Sequence, residues 1–217
     1  MLRALGVAFV VSLGAGAAWS DPFADARAKV AEVTAKAAVI EALTGMGEVD
    51  YLARTRFLEI RKTVPAEQRS ELEKAIGTQI DAMDQAHEKR LEALMAANPG
   101  WFPISVYGQR AAGAALTIVN HSQNLAFRKR AMALMEPLAA RGELPGNYAN
   151  VYDRTATMEG RLQRYGTQNF RCVNGDYAVP IDVEAPEQLE ARRAQLKLEP
   201  LAQSFAAMRQ IYGPCKG

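Results

Sequence analysis

Apolar positions recur at helical spacing through most of the chain, and only one short stretch near the C-terminus shifts to a period of two. Pro22 to Leu43 carries Val30, Val33, Ala37 and Ile40 or Leu43 along one face, which predicts a first helix. Thr44-Gly45-Met46-Gly47 reads as its break, and a second helix runs from about Glu48 to Lys62. Pro65 opens a third, proline being suited to a first turn. Leu72, Ile76, Ile80, Met83, His87, Leu91 and Leu94 form its stripe as far as Ala97, and Asn98-Pro99-Gly100 ends it. After the aromatic loop Trp101-Phe102-Pro103-Ile104, Ser105 is the expected N-cap of a helix over Val106 to Asn120. Ala111, Ala112, Gly113, Ala114 and Ala115 let neighbouring helices approach it closely, which places it at the centre of a bundle. Further helices are predicted over Asn124 to Ala140, bent or shortened by Pro137, and over Tyr148 to Met158.

The period changes at Phe170-Arg171-Cys172-Val173 and Tyr177-Ala178-Val179, which flank Asn174-Gly175, a strong two-residue hairpin signal. Two short helices, Glu187 to Leu196 and Leu201 to Ile211, close the chain. The expected fold class is therefore mainly α: a multi-helix bundle with one small C-terminal β-hairpin.

Length and composition narrow the picture. At 217 residues and 49% hydrophobic the chain is long enough for one core. The formal charge of +2 is spread without a basic block, which argues against nucleic acid as an obligate partner. Arg3 followed by an apolar run from Ala4 to Ala18, with Ala18 and Ser20 at the −3 and −1 positions, reads as a secretory signal over residues 1–20. Cleavage before Asp21 leaves a single helical domain over 21–217 with no stable membrane span; an uncleaved anchor is the alternative. The expected location is periplasmic or secreted. In that compartment Cys172 and Cys215 suggest a disulfide tying the hairpin to the C-terminal tail, the alternative being two buried thiols.

Candidate chemistry is sparse. No Gly-x-Ser-x-Gly elbow, Walker loop or dinucleotide fingerprint is present, so no cofactor is assigned. Asp84 and His87 stand at helical spacing, but the pair is not repeated on another helix and no HExxH or cysteine cluster exists, so no metal is assigned either. His121 ends the small-residue helix. It reads as a general acid or base, imidazole being suited to proton transfer near neutral pH, or as a satisfied core histidine. Asp153 is the carboxylate expected to orient it, or else a salt-bridge partner of Arg54, Arg154 or Arg164. Asp50 and Arg54 fall on one helix face, where an ordinary pair is the common case. Arg154 can clamp an anion bidentately. The polar loop Gln163-Arg164-Tyr165-Gly166-Thr167-Gln168 joins helix to hairpin. Gln163, Tyr165 and Gln168 either read a ligand or satisfy backbone groups at the joint.

Several of these residues stand in a recognisable order: Gly100-Trp101-Phe102-Pro103-Ile104-Ser105, Val119-Asn120-His121, Asp153-Arg154, Tyr165-Gly166-Thr167-Gln168, Pro180-Ile181-Asp182, then Arg192-Arg193 and Leu198-Glu199-Pro200-Leu201. The order resembles a bacterial family classed as a domain of unknown function. The first half matches more loosely, through Asp50, Arg54 and Asp84. That family often has glutamine where Tyr51 and Asn120 stand here. The resemblance implies a mostly helical, frequently exported domain and points to these residues without naming an activity.

Three functions are compatible with the chain. One is a module whose cluster Asp50, Arg54, Asp84, His121, Asp153 and Arg154, under the Tyr165–Gln168 loop, binds an unknown small molecule or peptide. The second is a hydrolase-like enzyme in which His121 and Asp153 activate water while Arg154 and Gln168 stabilise negative charge. The third is a structural or interaction protein with a buried ion network.

Overall fold

A computed structural model describes residues 23–98 and 100–215; the signal read over residues 1–20 and Pro99 of the helix stop lie outside them. The described chain contains seven α-helices: α1 (Ala24–Thr63), α2 (Arg69–Ala97), α3 (Ile104–His121), α4 (Leu125–Ala139), α5 (Tyr148–Met158), α6 (Leu189–Gln195) and α7 (Leu201–Tyr212). Strands β1 (Arg171–Val173) and β2 (Asp176–Ala178) pair antiparallel about the Asn174-Gly175 turn, with Cys172 opposite Tyr177. The mainly helical class with its C-terminal hairpin is thus the observed one. The chain divides into two compact units, up to Ala35 and from Lys36 onward; in the first, the described turns of α1 are exposed throughout.

The expected break at Thr44–Gly47 does not occur, because α1 continues through it. Gly47 is there for packing: a Cβ at this position would lie 2.7 Å from the Cβ of Ala114 in α3. The small residues therefore allow close approach between helices, and a helical backbone accepts glycine at a cost of only about 1 kcal/mol. The Ser105 cap is also replaced. Helix α3 starts two residues earlier, after Pro103, and the Ser105 N–H donates to the Glu143 carboxylate at 3.0 Å. Gly108, at φ 78°, kinks α3 just after its first turn, a conformation that glycine adopts without strain.

Helix α3 lies in the core of the second unit. Its Ala111, Ala112, Ala115, Leu116, Ile118 and Val119 are buried, and it packs on α2, α4 and α5. Leu43, Leu91, Phe102, Phe127, Met135 and Tyr148 close the same core from the surrounding elements. A smaller cluster of Val183, Leu189 and Leu201, with Phe170 and Phe205 packed on it, seats the C-terminal segment. Cys172 and Cys215 form a disulfide that ties β1 to the tail.

Candidate functional site

Three helices bring opposite charges together at one end of α3. Asp50 on α1 and Asp84 on α2 flank Arg54. The guanidinium donates through Nε to Asp50 Oδ1 at 3.0 Å and through one terminal nitrogen to both Asp84 oxygens, at 2.6 and 2.8 Å. His121, the last residue of α3, places Nδ1 2.8 Å from the same Asp50 oxygen. Burial pushes the Asp50 carboxyl up, but the hydrogen bond and charge from His121, together with Arg54, outweigh it and hold the group below the ordinary carboxylate range. Burial lowers Arg54 and its two carboxylates raise it; the carboxylates prevail.

An ionised carboxylate only accepts hydrogen bonds, so the proton between Asp50 and His121 belongs to Nδ1. Nε2 then carries the lone pair in neutral imidazole. It has no hydrogen-bond partner among the described residues, and the side chain is 21% exposed. Asp50 thus fixes the tautomer and orientation of a histidine whose other nitrogen faces outward, an arrangement able to accept a proton and to stabilise the imidazolium formed.

Two further groups border the cluster. His87 on α2 has Asp50, Asp84 and Arg54 as electrostatic neighbours. Burial pushes its imidazole below the usual range despite the two carboxylates, and its buried Nδ1 has no hydrogen-bond partner among the described residues. Arg154 on α5 is half-buried, and its guanidinium makes no hydrogen bond or ion pair among the described residues. Burial and then Arg54 press its pKa down, while Asp84 opposes them. A cleft of about 380 Å³ opens beside Asp84, between Asp81, Gln85, Glu88, Ser122 and Asn124. Within it, Glu88 accepts from Ser122 Oγ at 2.5 Å and from Asn124 Nδ2 at 2.7 Å.

Donor atoms of Asp50, Asp84 and His121 lie within 4.8 Å of one another, a set able to hold a metal ion. The Asp84–His87 spacing does not anticipate this grouping, since it spans three helices. The guanidinium of Arg54 already bridges the two carboxylates.

Asp153 has different company. Fully buried, it turns its carboxylate under the loop that follows α5. It accepts from the backbone N–H groups of Arg164 (2.8 Å), Tyr165 (3.1 Å) and Thr167 (2.9 Å) and from the Thr167 hydroxyl (2.9 Å). Burial pushes this carboxyl up against the pull of those donors. The carboxylate hydrogen-bonded to His121 is accordingly Asp50 rather than Asp153, and Asp153 makes no salt bridge with Arg54, Arg154 or Arg164 among the described residues. Adjacent positions on a helix point apart, so Asp153 faces the loop while Arg154 neighbours Arg54 and Asp84.

Gln163, also fully buried, accepts from Gln168 N at 2.8 Å and donates to Gln168 O at 3.1 Å and Asp182 Oδ1 at 2.8 Å. Tyr165 packs edge-on against Tyr152 and Tyr148. Gln168 Nε2 donates to its neighbour Thr167. Gly166, at φ 63°, turns the chain where a Cβ would lie 3.3 Å from Leu189 Cδ2. Arg192 and Arg193 fasten the loop from outside through the carbonyls of Arg164 and Tyr165. The polar atoms of Gln163 and Gln168 are largely spent on the loop's own fold. A cleft of about 460 Å³ adjoins Thr167, but its buried cation, Arg193, is bonded to Tyr165 O, Glu199 O and Ser204 Oγ.

Arg128 and the Glu88–Ser122–Asn124 group were not singled out in the sequence. Arg128 was legible there in one respect: it falls on the apolar stripe of α4 with Phe127, Ala131 and Met135, where an unpartnered charge would be costly.

Neither a curated protein nor a solved structure matches the chain significantly. A family of unknown function, DUF6624, matches residues 37–215, which takes in every residue of both networks described above. The chain belongs to that family.

Proposed function

We propose that this protein is an exported bacterial domain that binds a small anionic ligand between Arg154 and His121. The observation that carries the reading is Arg154: a half-buried guanidinium with no hydrogen bond or ion pair among the described residues, whose charged neighbours Arg54 and Asp84 belong to the network in which Asp50 orients His121. A half-buried cation is costly to leave unpaired, and guanidinium is suited to a carboxylate or phosphate. Export is supported by the signal-like N-terminus and the Cys172–Cys215 disulfide. Among the described residues no helix is long and apolar enough to cross a membrane.

A second reading rests on the same site. With Nε2 of His121 open and Asp50 behind the ring, the pair can take a proton from water or from a ligand hydroxyl. In that hydrolase-like reading Asp50, not Asp153, orients the ring, and Arg154 stabilises the negative charge that develops.

The experiment is a thermal-shift screen of the purified chain against small carboxylates, phosphates and divalent metals. Carboxylates or phosphates are expected to raise the melting temperature, and Arg154→Ala is expected to abolish the rise while remaining folded. A shift that survives in both Arg154→Ala and His121→Ala contradicts the site. Absence of any shift, with His121→Ala only destabilising the fold, favours a purely structural ion network.

A further inference from the structure

Arg128 is the largest fully buried side chain among the described residues, and it has no carboxylate partner among them. Its Nη1 donates to the carbonyls of Val119 (2.5 Å), Asn120 (3.0 Å) and Ser122 (3.2 Å), which bracket His121 at the end of α3. Its Nη2 reaches Val151 O at 3.1 Å, and its Nε reaches Thr155 Oγ1 at 3.0 Å, both on α5. One guanidinium thus joins the C-terminus of the helix that carries His121 to the helix that carries Arg154. The last carbonyls of a helix lack intrahelical donors and carry the negative end of its dipole, so they offer a buried cation partial compensation. Compensation is incomplete: burial, with Arg154 as a like-charged neighbour, pushes Arg128 down to about 10.

We propose that Arg128 is a positioning residue that fixes the two halves of the site, His121 on α3 and Arg154 on α5, at their working separation. Its planar fork is what the task needs. The acceptors on the two helices diverge, and an ammonium on a flexible stem cannot satisfy all of them in fixed directions. A second feature supports the assignment. Ser122, just past His121, is held on its other side by Glu88, and its hydroxyl accepts from Asn124 N at 3.0 Å. The backbone around His121 is therefore pinned from α2, α4 and α5, while the His121 ring keeps one nitrogen free. Were Arg128 needed only for core stability, contacts to α5 and the apolar interior would serve, and three of its bonds would not converge on the residues flanking one histidine.

The inference rests on the reading of His121 and Arg154 as one site, but its test needs no ligand. In the ligand-free protein, exchange of the His121 Nδ1 proton with water is followed by NMR in the wild type, Arg128→Gln and Arg128→Lys. Both variants are expected to melt lower. In Arg128→Gln the Nδ1 proton signal is expected to be lost through exchange broadening, with partial recovery in Arg128→Lys. A folded Arg128→Gln whose Nδ1 proton keeps the wild-type shift and exchange rate overturns the proposal, since a merely structural arginine would lower the melting temperature without touching that signal. Should Arg128→Gln not fold, Arg128→Lys decides: at least a tenfold faster exchange supports positioning, and an unchanged rate overturns it. Failure of ligand binding with Arg128-dependent exchange intact would instead count against the anion-binding reading alone.

Discussion

Replacing Asp153 by alanine separates a buried support from a reacting group. Its carboxylate accepts three backbone N–H groups and one hydroxyl from the Arg164–Thr167 segment. Hydrogen bonds to a charged group contribute about 1.5–3 kcal/mol each, which sets a ceiling well above the real loss. Three effects reduce it. Arg164 and Thr167 are partly exposed, so water can replace the lost acceptor. The Thr167 hydroxyl has a second acceptor in Ala149 O at 3.5 Å. Deleting the side chain also removes the cost of burying its charge, which is visible in the upward push on its carboxyl. The Tyr165 N–H stays buried and orphaned, and with it the fastening of the loop is lost. The expected destabilisation is about 3–5 kcal/mol, a large share of the ~5–15 kcal/mol typical of a domain. Urea denaturation should show a lower midpoint at an unchanged slope, and limited proteolysis should find new cleavage between Arg164 and Gln168. Asp153→Asn retains one acceptor oxygen and should lose about half as much. A loss below ~1 kcal/mol in Asp153→Ala would contradict a supporting role for this carboxylate. So would a variant of native stability that has lost its ligand response, which would return Asp153 to the His121 site.

Other consequences are equally accessible. Asp50 is held below its unfolded value of about 3.9, so its contribution to stability is complete above that pH and disappears as pH falls through the lower folded value. Asp50→Ala should therefore cost about 3 kcal/mol at neutral pH, and its denaturation midpoint should converge with the wild type in acid; a constant gap down to pH 2 contradicts this. Gly45→Ala should stabilise α1 by up to about 1 kcal/mol, since nothing lies within 4 Å of the added Cβ. Gly47→Ala should destabilise by about 1–3 kcal/mol through its clash with Ala114, and equal melting temperatures for the two variants would contradict the packing argument. Reducing Cys172–Cys215, which closes a loop of 43 residues, should cost up to about 4 kcal/mol by loop entropy, measured as a midpoint shift with and without reductant.

How far these features could be read in the sequence depended on the range of the interaction. Periodicity located most of the helices, and Asn174-Gly175 located the hairpin, because each is set by neighbours within a few residues. The false break at Thr44–Gly47 came from judging two glycines by propensity, when the contact that explains Gly47 lies across the bundle at Ala114. The site divides the same way. Asp50 and Arg54, four apart on one helix, were legible as a pair. The bond from Asp50 to His121 crosses 71 positions and has no local signature. Asp153 and Arg154 are adjacent in sequence, and that adjacency placed them in one cluster. On a helix it does the reverse, turning one under the loop and leaving the other near Arg54 and Asp84. Gln163 and Gln168 are rich in polar atoms, and only their partners distinguish a ligand-reading loop from a self-satisfied joint.

Arg154 and His121 are proposed to form one anion site. It is tested most directly by titrating the ¹⁵N-labelled protein with a small carboxylate and with phosphate at fixed ionic strength, while following the arginine side-chain and histidine ring nitrogens. A saturable change is expected at Arg154 and at His121 Nε2 with one shared affinity, and little change at an exposed arginine such as Arg56. Non-saturating changes of similar size at Arg56 and Arg154, with His121 unmoved, would contradict it.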